Sequence, residues 1–428
     1  TADFMRFLFA WQRVDSEHHV AGLEGVAAVV DQLDGFELPA GAWGGDVLAS
    51  RCEEYDPALL DTLCLTGRVA WGRLGGRAGG WADRRAGGQA DGTTVARAAA
   101  GPVRTTPIAL FMREHAEQWL PDRTLAEDAA LSEYARRVRE VLTRRGASFF
   151  HELVGESGLL PTQVEQALGE LAALGAVTSD GFAGLRALIT PSAKRKPLNG
   201  AARRHRTVPF GIESAGRWAL LRGTAEPTSD AARRLDIEAH ARTLLRRYGV
   251  VFRRLLEREG NAPLWRDLLL AYRRLEARGE IRGGRFVAGM AGEQFALPEA
   301  VGQLRATRRK PAAGQLVAVS AADPLNLAGI ITPGERVPAL SGNRVLYQDG
   351  VPALAFIGGQ ARPLIPSAVD RLDELTTALV RKRLGPALRA RLALAGLPAT
   401  GTLPTRGPRR RRHATLPPPT AVSSGNQN

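Results

Sequence analysis

The sequence predicts an α+β fold, mainly helical, built from one small unit used several times and followed by a short all-β region. Three observations carry this. A string of apolar and glycine positions recurs at a fixed spacing. Each clear copy follows a stretch of helical periodicity. From Leu316 to Ile365 the pattern changes to short apolar runs separated by turn residues.

The recurring string is Leu171, Gly175, Val177 and Phe182, which returns as Leu275, Gly279, Ile281 and Phe286, each pair 104 positions apart. Upstream, Arg144-Arg145-Gly146 and Phe149 match Arg246-Arg247, Gly249 and Phe252. A weaker third copy ends at Leu63, Gly67 and Val69. In the clearest copy, Leu131 to Arg145 sets Tyr134, Val138, Val141 and Leu142 on one helical face and stops at Gly146, a C-cap residue. Phe149 to Val154 is read as a second helix. Pro161 opens a third, with Val164, Leu168 and Leu171 on one face and Gly175 at its end. Val177 and Leu185 to Ile189 flank the turn Ser179-Asp180-Gly181, an expected hairpin. The later copy runs Ile237 to Arg247, Val250 to Glu257, Leu264 to Arg278, with a hairpin from Ile281 to Leu297 around Gly283-Gly284. Three helices and a hairpin make a winged helix, a variant of helix-turn-helix.

The expected organisation is therefore a winged-helix-like region at 1–74, a Gly/Ala-rich linker at 75–107, and a winged-helix domain at 108–190. A basic linker and connector follows at 191–235, then a winged-helix domain at 236–300. A small β-barrel is expected at 315–366, a helical segment at 367–396 and a disordered basic tail at 397–428. The chain begins at Thr1 with helical periodicity already under way (Phe4, Phe7, Leu8), which reads as a piece of a longer protein. No apolar run has membrane length, so the expected location is cytoplasmic.

The formal charge is +14, carried almost wholly by arginine; lysine occurs only at Lys194, Lys196, Lys310 and Lys382. Arginine's planar fork suits phosphates and guanine edges, and the balance favours a nucleic-acid partner. A GC-rich genome also enriches arginine and alanine. The lysines are followed by Arg195, Pro197, Pro311 and Arg383, so no Gly-Lys-Ser/Thr loop exists and the chain holds no ATPase motif. Cys52 and Cys64 form no CxxC pair, and His18-His19 point apart on helix or strand, so no metal site is expected.

DNA contacts of a winged helix come from its third helix and its wing. The candidates are Thr162, Gln163 and Arg186 in one copy and Arg266, Arg273, Arg274, Arg282 and Arg285 in the other. The run Lys194-Arg195-Lys196 suits phosphate neutralisation without sequence readout. The alternative reading of the same residues is that they are solvated faces or protein contacts, and in a stack of such units some must pack on their neighbours.

Several strings resemble the C-terminal region of bacterial Lhr, the large helicase-related proteins. They are Phe4-Met5-Arg6-Phe7-Leu8 with Trp11-Gln12, Gly35-Phe36-Glu37-Leu38-Pro39, Val69-Ala70-Trp71-Gly72-Arg73, Gly158-Leu159-Leu160-Pro161, Gly283-Gly284-Arg285-Phe286-Val287 and Val319-Ser320-Ala321-Ala322-Asp323-Pro324-Leu325-Asn326-Leu327. The resemblance covers about residues 1–365 and fades in the basic tail. It implies a superfamily 2 DNA helicase acting in DNA repair, whose upstream core would be a partner and would hold the ATP and Mg that this chain does not. It also implies similarity to AlkZ-type winged-helix glycosylases and an oligomer formed through this half. AlkZ-like enzymes carry Gln-apolar-Gln or Gln-apolar-Asp. Here Gln12-Arg13-Val14-Asp15 has one residue more, which nominates Gln12 and Asp15 as catalytic candidates, with a helix-capping role as the alternative for Asp15. Trp11, Trp43 and Trp71 are candidate base-stacking groups or core residues. Three functions stand at this point: DNA binding to single-stranded or forked DNA, excision of uracil or an alkylated base, and an oligomeric scaffold.

Overall fold

The computed structural model describes residues 1–74, 104–120, 131–190, 212, 215–221 and 229–380. Helix α1 (Ala2–Trp11) precedes a first module made of α2 (Gly22–Gln32), β1 (Glu37–Pro39), a π-helical turn (Trp43–Leu48), α3 (Pro57–Leu65), β2 (Val69–Gly72) and β3 (Pro107–Met112); the one-turn α4 (Ala116–Trp119) follows. The second module is α5 (Glu133–Arg145), β4 (Ser148–Phe149), α6 (Phe150–Ser157), α7 (Pro161–Ala173), β5 (Val177–Ser179), α8 (Phe182–Ile189) and β6 (Arg217–Leu220). The third is α9 (Asp230–Tyr248), β7 (Val250–Phe252), a 3-10 turn (Leu255–Arg258), α10 (Trp265–Ala277), β8 (Arg282–Gly284) and β9 (Gln294–Ala296), followed by α11 (Pro298–Arg309).

All three modules build the same antiparallel sheet, with the last strand between the other two: β1-β3-β2, β4-β6-β5 and β7-β9-β8. The glycines that mark the repeat share one job. Gly67, Gly175 and Gly279 have φ of 76°, 70° and 76°. In each case the next amide reaches back five residues, Arg68 to Leu63, Ala176 to Leu171 and Glu280 to Leu275. This left-handed cap satisfies the carbonyls at the end of the module's third helix and swings the chain into the second strand.

Several sequence expectations change. Residues 182–189 form a helix and not the outgoing arm of a hairpin; the partner of β5 is β6, almost 40 residues on. Phe182, Leu185 and Ile189 are buried at helical spacing, which fits α8 as well as the alternating reading fitted a strand. Val250–Phe252 is a strand where a helix was expected, and Gly283-Gly284 lie inside β8 and not at the hairpin turn. Strand β3 completes the first module, so the expected boundary at 107/108 falls inside that strand. The segments 75–103 and 191–211, which fall between the second and third strands of their modules in the sequence, lie outside the described residues.

The region expected as a barrel is an open four-stranded meander, β10 (Leu316–Ser320), β11 (Arg344–Gln348), β12 (Val351–Ile357) and β13 (Gln360–Pro363). Among the described residues no pairing of β10 with β13 closes it. Helix α12 (Leu372–Val380) packs Leu375 and Leu379 on Leu346 and Leu354 of this sheet. The rest of the expected helical segment and the tail lie outside the described residues. No helix among the described residues is long and apolar enough to cross a membrane.

Two large cores result. The first and second modules share one, centred on fully buried Trp71, whose ring meets Trp218 at 6.2 Å and 89° and Phe182 at 6.4 Å and 83°. The second core joins α1, the third module and the β10–β13 sheet. Helix α1, expected with the first 74 residues, instead buries Phe4, Phe7 and Leu8 against a module more than 200 residues away. Five buried large apolar side chains on ten residues, each worth roughly 1.5–3 kcal/mol on burial, anchor it there.

Candidate nucleic-acid interface

The third helices of the three modules occupy equivalent places but differ in charge and exposure. Helix α3 carries no lysine or arginine, and its Asp61 is held by Arg186 of α8 in the second module. Helix α7 also lacks basic residues. Every residue from Ala167 to Ala173 is buried, and Arg73 of the first module donates to the carbonyl of Ala173. The second half of this helix is thus enclosed on all sides, and its open surface is confined to the first turns, at Pro161, Thr162 and Gln166. Helix α10 differs. Arg266, Leu270, Arg273 and Ala277 form an exposed stripe at helical spacing, with Arg266 81% and Arg273 53% exposed at the side chain.

The expected contact residues divide accordingly. Thr162 is exposed at the first turn of α7, while the side chain of Gln163 accepts a hydrogen bond from the Leu160 amide as a cap. Arg186 lies on a helix and not on a wing, and it stacks over Phe182 at 5.7 Å while pairing with Asp61. It therefore joins two modules, with part of its side chain open to solvent. Lys194, Arg195 and Lys196 lie outside the described residues. Arg282 and Arg285 are exposed on the wing beside α10; Arg274 is half-buried. Arg273 pairs with Glu293 at 2.6 Å, and Glu276 and Glu293 line the groove between helix and wing. The exposed arginines of this helix and wing are therefore Arg266, 3.5 Å from Asp267, Arg273, held by Glu293, and Arg282 and Arg285.

The catalytic candidates are placed differently from expectation. Gln12 is fully buried, and both ends of its amide are engaged: Nε2 donates to the Arg247 carbonyl at 2.9 Å and Oε1 accepts from Arg51 at 3.0 Å. It is a packing hub and has no free edge for a base. Asp15 accepts from the Glu17 amide at 3.1 Å, the capping alternative, and its other oxygen lies 3.6 Å from His18. Trp43 and Trp71 are fully buried core residues. Cys52 and Cys64 are free and buried; burial pushes their thiols up to about 11 and about 12, which removes them as thiolate nucleophiles.

Sequence reasoning did not find two polar centres. Arg51 and Asp323 form a fully buried bidentate pair. Asp34, also fully buried, accepts from the Met112 amide, Trp119 and Arg246 and lies 2.5 Å from His115. That contact raises the His115 pKa. Asp31, Asp34 and His115 have ligand atoms within 4.8 Å of one another, but Arg246 already reaches both carboxyls at 3.4 Å and supplies the positive charge there. Asp15, Glu17 and His18 form a second such group, two of the three exposed. The His19 ring lies 3.3 Å from the Val14 carbonyl.

A family model described as large helicase-related protein, winged-helix domain, matches residues 1–89, and another with the same description matches residues 229–316. The chain is 30% identical over 397 residues to a protein of Escherichia coli (strain K12) named Lhr helicase/uracil glycosylase, covering 84% of this chain and 24% of that protein. The chain belongs to the Lhr family. It is also 30% identical over 325 residues to the Lhr helicase/probable uracil glycosylase of Mycolicibacterium smegmatis, covering 71% of this chain and 19% of that one. The chain spans about a quarter or less of the length of these Lhr relatives, and it corresponds to the C-terminal Lhr region. The first and third modules are the parts that Lhr models recognise as winged-helix domains.

Proposed function

We propose that this chain is the DNA-binding part of an Lhr-type, ATP-dependent repair helicase, and that it grips single-stranded or forked DNA through the third module. The observation that carries the reading is the contrast among three equivalent helices. Helices α3 and α7 have no cation, and each is tied to a neighbouring module, α3 through Asp61 and α7 through the Ala173 carbonyl. Helix α10 carries Arg266, Arg273 and Arg274 beside the wing arginines Arg282 and Arg285. Contacts of this kind go to phosphates and release counterions, so binding falls with salt and depends little on sequence. The test is fluorescence anisotropy of a labelled fork with the intact chain and with the Arg266→Ala, Arg282→Ala, Arg285→Ala triple variant. A loss of at least about tenfold in affinity is expected; by the counterion rule each lost contact also removes about one from the slope of log K against log salt. Unchanged affinity and slope would sink the reading.

The names of the two relatives favour a second reading, ATP-independent excision of uracil. On this reading Asp15, with His18 3.6 Å away, is the carboxyl nominated for the chemistry. Incubating the chain without ATP on DNA bearing one uracil tests it. Abasic product that disappears in Asp15→Asn supports it, and no product from the intact chain removes it.

A further inference from the structure

A solvent-open cleft lies where α1, α2, α9 and α11 meet, apart from the groove beside α10. Its walls include Trp11, Arg13, His18, Asp31, Arg246 and Gln303. It joins an aromatic ring to groups that pair with both kinds of hydrogen-bonding atom, in a space that neither core fills. Trp11 is fixed by donating to the Arg246 carbonyl at 3.0 Å. Arg246 in turn lies 3.4 Å from Asp31. Burial raises the pKa of the half-buried Asp31, so a hydrogen-bond donor at that carboxyl would be welcome.

A second, independent observation is the backbone at Arg13. It has φ of 60°, one of two non-glycine residues with positive φ among the described residues. The other, Asp349, is explained locally, because its carboxyl accepts the amides of Ala313, Gly314 and Gln315. Glycine would hold the Arg13 turn without the cost of about 1–2 kcal/mol that a side chain brings to this region. What arginine adds is a guanidinium in the cleft, resting on Gln32 at 2.5 Å. Burial, and then the charge of Arg51, lower its pKa, a situation that an incoming anion relieves.

We propose that this cleft binds one unpaired nucleotide of a DNA strand, with the base against Trp11 and within reach of Asp31 and Gln303, and the phosphate at Arg13. Aromatic stacking accepts any base, while the carboxyl and the amide take the ring N–H and carbonyl groups that pairing leaves free. The proposal rests on the DNA-binding reading only for the class of its ligand, since the cleft and the α10 surface share no residue.

Thymidine 5′-monophosphate and the full chain, followed by saturation-transfer NMR, test it. Saturation is expected to reach the base protons in the intact chain and in the Arg282→Ala, Arg285→Ala variant. It is expected to fall at least about fivefold, the scale of one lost hydrogen bond, in Arg13→Gly, which suits the backbone there, and in Gln303→Ala, which alters an exposed residue. No transfer in the intact chain overturns the proposal even if forked DNA binds. Equal transfer in Arg13→Gly and Gln303→Ala overturns it as well, and so does loss in the wing variant. Failure of fork binding with the mononucleotide signal intact would strike the third-module reading alone.

Discussion

The guanidinium of Arg51 and the carboxylate of Asp323, 272 residues apart in the chain, meet in two hydrogen bonds of 2.6 and 2.9 Å with neither side chain in contact with solvent. The pair ties the first module to the segment after β10, and Gln12 of α1 closes the same network through the second guanidinium nitrogen of Arg51. Two charges taken out of water are tolerated here because each is matched in shape and sign by the other.

Removing one partner leaves the other buried and uncompensated. Arg51→Ala is expected to lose about 3–5 kcal/mol of unfolding free energy, and Arg51→Met with Asp323→Leu to recover most of it. Urea denaturation checks both. A single variant within about 1 kcal/mol of the parent would mean that the pair is not sealed from water.

His115 gives a pH signature. Its pKa is raised in the folded state, first by the hydrogen bond with Asp34. The folded chain therefore binds more protons than the unfolded chain between the ordinary histidine value and the raised one. Its stabilising contribution is complete below the ordinary value and is lost as pH rises through the raised one. Stability of the parent should fall across that window relative to His115→Gln. Parallel pH curves for the two proteins would contradict this.

Gly175 and Gly279 hold the same left-handed cap, so alanine at either should cost about 1–2 kcal/mol. They differ in surroundings. A Cβ on Gly279 meets nothing within 4 Å, whereas one on Gly175 would lie 2.5 Å from the Arg73 carbonyl oxygen. Gly175→Ala should therefore be clearly the more damaging in a denaturation series. Equal losses would show that the first and second modules do not press together there.

Arg186→Ala separates the two uses of arginine. Its partner Asp61 belongs to the neighbouring module, so the variant should lower the thermal midpoint and leave fork affinity within about twofold. A selective loss of DNA binding at unchanged stability would return Arg186 to the interface.

Much of the fold is legible in the sequence because the repeat is a physical one: Leu171 and Leu275 are both fully buried, and the glycines that follow share one backbone state. What is not legible is pairing across distance. Strand β6 joins β5 from almost 40 residues away, while Leu185 to Ile189 lie next to the turn in the sequence and fit the second arm of a hairpin. The site was harder still. Gln12 reads as a motif residue, yet its partners Arg51 and Arg247 lie 39 and 235 residues away. Arg246-Arg247 reads as a mark of the repeat, while the structure uses both residues to hold the first module to the third. Only the absence of lysine and arginine from α3 and α7 was in plain view, and it gains meaning once the three helices are known to be equivalent.

Which module touches DNA can be read directly by photocrosslinking a fork that carries 5-iododeoxyuridine at single positions and mapping the attached peptides by mass spectrometry. Crosslinks concentrated between Trp265 and Phe295, on α10 and its wing, are the expected result. Crosslinks falling instead on Pro57–Leu65 or Pro161–Ala173 would contradict the assignment of DNA to the third module.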